Sequence, residues 1–159
     1  MRKRSKYRPK GVLLDTMTHV LSGVQRVGRI SAGTTLMIKN HNALDALRRG
    51  EATRDDIDIL IGALNTTEAL ARMRIGEDWQ VEIRAAQDAL LSVGRRGVET
   101  GKFILRGPEL ISLNLAMEVH DAQLEHCTVV QLEKALTIME NEYKAKKMRP
   151  IIVKEEHAD

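Results

Sequence analysis

The sequence predicts an all-α fold: a bundle of four to six helices behind a basic, partly disordered N-terminal arm. Three observations carry that expectation. Apolar residues recur at steps of three and four from about Thr34 to Tyr143. Capping residues and glycines break this pattern at ordinary helical lengths. No segment alternates apolar and polar residues between hairpin turns, as a half-buried strand would. The chain has 159 residues, enough to bury roughly two-thirds of its unfolded surface without disulfide or metal support. With one Trp, one Phe and two Tyr, its core must be built from Leu, Ile, Val, Met and Ala.

Residues 1–11 read as the basic arm, 12–150 as one helical domain and 151–159 as a polar tail. After Pro9 and Gly11, the residues Met17, Val20, Leu21, Val24 and Val27 have helical spacing, but Gly23 and Gly28 weaken a helix there. This stretch reads either as a short irregular helix or as an extended strap. From Thr34 the pattern is clear: Leu36, Asn40, Ala43, Leu44 and Leu47 share one face, and Gly50 suits a left-handed C-terminal cap. Thr53 is a good N-cap for the next helix, with Asp55 and Asp56 in a first turn that favours negative charge. Its stripe is Ile57, Leu60, Ile61, Leu64 and Ala71, and it should end near Gly76.

A third helix follows, with Trp79, Ile83, Ala86, Leu90 and Val93 facing a core. Glycines at 94, 97, 101 and 107 leave two readings for residues 94–107: a weak continuation of that helix, or a loop around Phe103-Ile104-Leu105. Pro108 suits a helix start because its missing N–H would be unpaired there, and the fourth helix should run to about His126. Thr128 and Gln131 form a capping-box pattern for a fifth, whose buried face would be Val129, Leu132, Ala135, Leu136, Met139 and Tyr143. Lys144, Lys146, Lys147 and Arg149 complement its C-terminal dipole, and Pro150 stops it.

The net charge of +3 hides an asymmetry. Residues 1–30 carry eight cations against the single acid Asp15, and the remainder carries 17 cations against 21 acids. Arg2, Lys3, Arg4, Lys6, Arg8 and Lys10 crowd the first ten residues, repel one another and resist burial. Beside an anionic polymer such a run gains from counterion release, and Tyr7 offers a ring on which a base can stack. Arg95 and Arg96 are a second candidate phosphate contact. The competing reading is that the arm docks on the acidic body or only aids solubility.

The sequence gives little support for catalysis, cofactors or a metal site. Cys127 is the only cysteine, which excludes an internal disulfide and fits a reducing cytoplasm. It reads as a packed residue rather than as a nucleophile paired with a histidine. His120 and His126 are six residues apart and leave different helix faces. His120 falls among Leu113, Met117 and Leu124, as a core histidine bonded to a neighbouring helix would. Glu118, Asp121 and Glu125 form a polar stripe of the kind any solvated helix shows. No phosphate-cradling glycine motif is present, and the acids after Thr53 argue against a groove-reading recognition helix. No apolar run approaches the roughly 20 residues of a membrane span.

The opening Arg2-Lys-Arg-Ser-Lys-Tyr-Arg-Pro-Lys-Gly11-Val-Leu-Leu-Asp-Thr-Met17, followed by a helical body, resembles small helical proteins of bacteriophages and prophages of Gram-negative bacteria. The resemblance implies an origin and a role in binding, and it carries over no site residues. The expectation is therefore a non-enzymatic, phage-type accessory protein of the host cytoplasm. Its arm would contact nucleic acid or a nucleoprotein complex. The alternative is an inhibitor or modulator that masks a host protein through an apolar patch in Val12–Val27 or Phe103–Leu105, with acidic host proteins among the partners. A small metal-dependent hydrolase built on the Glu118, Asp121 and Glu125 stripe is the least supported reading. Wide apolar stripes also admit a homodimer.

Overall fold

The computed structural model describes residues 23–147. The basic arm, residues 12–22 with their helix-or-strap reading, Pro150 and the polar tail lie outside the described residues, and so do the expectations made for them. Within that range the chain forms five helices: α1 (Ser31–Arg48), α2 (Arg54–Arg72), α3 (Gln80–Thr100), α4 (Gly107–His126) and α5 (Val129–Lys144). Short 3-10 turns, Val27–Arg29 and Glu77–Trp79, precede α1 and α3. Among the described residues the only β pairing is one isolated bridge, Arg26 to Thr128. No helix there is long and apolar enough to cross a membrane. The all-α expectation holds.

Of the stretch read as irregular helix or strap, residues 23–30 are described: Arg26 makes that bridge and Val27–Arg29 turns as a 3-10 helix. The Val27 N–H donates to the Cys127 carbonyl at 3.0 Å, and the Val129 N–H donates to the Gln25 carbonyl at 2.9 Å. Backbone bonds thus fasten the strap to the α4–α5 junction, and α1 begins three residues before Thr34. It ends where expected, at Gly50 with φ +71. Thr53 caps α2 and Asp56 closes a capping box, its carboxylate accepting the Thr53 N–H at 2.8 Å. The Thr128–Gln131 box opens α5 as expected.

Two expectations on α3 need amendment. Trp79 lies in the preceding turn and is 43% exposed, so the core face begins at Ile83. Residues 94–100 complete the helix, and the loop is confined to 101–106, after Gly101 at φ +76. The helix survives its glycines because Gly94 and Gly97 are buried, and Gly97 lets the Phe103 ring fold back against the helix.

α2 is the centre of the bundle, packing on α1, α3, α4 and α5. Its buried positions therefore exceed a single stripe and include Ile57, Leu60, Leu64, Thr66, Thr67 and Leu70. The main core joins Leu44, Leu47, Leu60, Leu64, Leu90, Leu113 and Met117, and a second cluster joins Val27, Leu70, Leu124, Cys127 and Ala135. α5 departs most from expectation. Of its predicted face only Ala135 is fully buried, while Leu136 is 48% and Tyr143 73% exposed. It rests chiefly on α2, and one neighbour covers a narrow stripe.

Candidate functional site

Among the described residues, the side chains marked by sequence do not converge on one place. Arg2, Lys3, Arg4, Lys6, Tyr7, Arg8 and Lys10 lie outside the described residues. Arg95 is exposed near the end of α3. Its neighbour Arg96 is committed inside the fold: its guanidinium holds Glu109 through two bonds of 2.8 and 2.6 Å and reaches the Ile104 carbonyl at 3.0 Å. Burial alone would raise the Glu109 carboxyl, but the Arg96 fork and the Arg106 N–H outweigh it and hold the group below the usual carboxylate range. Arg96 thus clamps the 101–106 loop to the first turn of α4 and is spent as a phosphate contact. Arg96→Ala should cost about 1–3 kcal/mol in urea unfolding, while Arg95→Ala should leave the midpoint unchanged.

The acidic stripe on α4 is also divided. Asp121 bonds His41 of α1 at 2.6 Å, whereas Glu118 and Glu125 face solvent. Glu118 stands at a cleft of about 310 Å³ shared with Trp79 and His126. No group of three or more His, Cys, Asp or Glu among the described residues is placed to hold a metal ion. Cys127 is fully buried in the second core cluster, and burial pushes its thiol up, away from nucleophilic use.

His120 is 1% exposed and bonded on both ring nitrogens, as the core-histidine reading expects. Asn40 Nδ2 lies 3.1 Å from Nε2, and Thr67 Oγ1 lies 2.8 Å from Nδ1. An amide nitrogen only donates, so Nε2 accepts and Nδ1 carries the proton. Thr67 then accepts that proton and donates its own to the Ala63 carbonyl at 2.8 Å. The ring is held neutral in one tautomer, tying α1, α2 and α4 together.

The feature no single stretch of sequence announces is a groove of about 1070 Å³ between α3 and the C-terminal end of α5, floored by α2. Ile61, Leu91, Val98 and Phe103 give it apolar surface. Glu68 joins its walls: its carboxylate accepts from Arg72 at 2.9 Å, Arg84 at 2.8 Å and Gln87 at 2.9 Å, and Arg72 also pairs with Glu142 of α5. Burial would raise Glu68, yet these donors bring it below the ordinary carboxylate value. Arg54, Lys146 and Lys147 also line the groove and make no ion pair among the described residues.

Comparison with protein-family models, curated proteins and solved structures finds no match to this chain.

Proposed function

We propose that this is a non-enzymatic accessory protein of phage type that binds nucleic acid, or a nucleoprotein complex, through its basic arm. The observation that carries the reading is the segregation of charge. Residues 23–147 hold 17 Lys and Arg against 18 Asp and Glu, which is −1, while residues 1–22 hold six cations against one acid, which is +5. The body also answers many of its own carboxylates: Asp45, Glu51, Glu68, Glu77, Glu109, Glu140 and Glu142 each pair with a body Arg or Lys. On this reading the arm's excess meets a polyanion, where each neutralised phosphate releases condensed counterions.

The test is a polarisation titration of labelled DNA and RNA across a salt series, comparing the full chain with one lacking residues 1–10. The full chain should show log affinity falling against log salt with a slope of about −5 on duplex, from six phosphate contacts. Deletion should flatten that slope and lower affinity at least about tenfold, with helicity and melting unchanged. Equal affinity for both chains would refute the reading.

A second reading, masking of a host protein, draws support from the groove, because Phe103 of the predicted apolar patch lines it. A pull-down from nuclease-treated lysate separates the two. A partner retained at high salt favours masking, and one lost with the nucleic acid favours the arm.

A further inference from the structure

We propose that the groove between α3 and α5 receives one amphipathic helix, acidic on its flanks, from another protein. The inference deepens the masking reading and is independent of the basic arm.

The packing leaves room for such an element. α3 and α5 both lie on α2, but they do not form one of the substantial helix pairs of the bundle. The α2 residues that floor it run from Ile57 to Arg72, about 22 Å at 1.5 Å per residue, or four helical turns; α3 flanks them along one side, and on the other stand only the last turn of α5, Glu142–Lys144, and Lys146 and Lys147 beyond it. At its mouth Val98 is 53% and Tyr143 73% exposed. These are side chains that α3 and α5 would bury if a further helix lay between them.

The walls decide the shape of the occupant. Apart from Phe103, Lys146 and Lys147, the lining residues lie in α2, α3 and α5, whose backbone N–H and C=O groups are largely used within the helices, so an extended peptide pressed among them would bury most of its own polar backbone unpaired. A helix brings its hydrogen bonds with it and offers an apolar stripe to the floor. Charge decides the flanks. Glu68 and Glu142 are engaged by Arg72 and Arg84, and Lys144 by Glu140, which leaves Arg54, Lys146 and Lys147 against Asp58 as the rim charges without an ion pair among the described residues. Acidic flanks answer that excess. A nucleic-acid backbone fits poorly, because the floor is apolar and three carboxylates line the walls.

The probes are two fluorescein-labelled helical peptides of about four turns, with the same leucine stripe and either Glu or Lys on the flanks. The full chain should bind the acidic peptide saturably and the basic one at least about tenfold more weakly. Val98→Glu, at an exposed position, and Lys146→Glu with Lys147→Glu should each weaken the acidic peptide about tenfold, with melting unchanged. Deleting residues 1–10 should leave peptide affinity unaltered, so failure here and failure of the nucleic-acid reading are separable. The proposal is overturned if neither peptide binds, if both bind equally, or if the variants have no effect. It is also overturned if removing residues 148–159 raises affinity tenfold, which assigns the groove to the chain's own tail. Sedimentation showing a dimer that Val98→Glu disperses would assign it to a second copy.

Discussion

Lowering the pH from 7 to 4 should cost the fold about 3 kcal/mol through one side chain, His120. Burial pushes its pKa down to about 4, the charge of His41 adds to that, and nearby Asp121 opposes it. An unfolded histidine titrates near 6.5, so between about 6.5 and 4 the unfolded chain binds a proton that the folded chain refuses. Stability must therefore rise with pH across that window, being complete above it and lost as pH falls through it. Glu68 and Glu109, held below their ordinary values, act in the same direction but only from about pH 5 downward, so the His120 slope is read between about pH 5 and 7. Urea unfolding over that range reads the slope. His120→Leu should flatten it and at neutral pH cost about 1–3 kcal/mol more, because the buried Asn40 amide loses its acceptor. Asn40→Leu with His120→Leu removes both partners and should recover part of that loss. A flat profile in the parent chain, or an unchanged slope in His120→Leu, would sink the assignment.

That seam also shows how far the sequence could be read. Asn40 fell on the apolar face of one helix and His120 on the apolar face of another, 80 residues apart, and each position was legible alone. What joined them was the way α1 and α4 meet beside α2, which periodicity does not encode. Caps were legible because they are local: Thr53 and Thr128 find their partners three residues away. The faces of α2 and α5 were misjudged for one reason. The width of a buried stripe depends on how many neighbours a helix has, so central α2 buries Thr66 and Thr67 while α5 leaves Leu136 and Tyr143 in solvent. Arg95 and Arg96 looked equivalent, and only the path of the 101–106 loop turns Arg96 inward to Glu109. The groove needed three helices at once, so no local signal could have disclosed it.

One substitution, glycine to alanine, should have opposite effects at two helical positions. At Gly33 an added Cβ would overlap the Val27 carbonyl oxygen and sit 2.7 Å from its carbon. Val27 cannot yield cheaply. It is buried, its N–H is bonded to Cys127 and its carbonyl accepts from the Ile30 N–H, so moving it loosens the strap from the α4–α5 junction. Gly33→Ala should therefore cost about 3 kcal/mol or more, the larger share from lost packing around Val27, Leu124 and Cys127. Gly62, inside α2, has nothing within 4 Å of the same added atom. There alanine only restricts the unfolded chain and improves helix propensity, so Gly62→Ala should stabilise by about 0.5–1 kcal/mol. Gly97 falls between them: its Cβ would enter the space of the Phe103 ring, but that ring lies on a loop and can swing aside, loosening the groove wall without breaking a helix. Urea midpoints should rank Gly62→Ala above the parent chain, then Gly97→Ala, then Gly33→Ala. A Gly33→Ala chain as stable as its parent would mean that the strap does not pass where α1 needs a bare backbone.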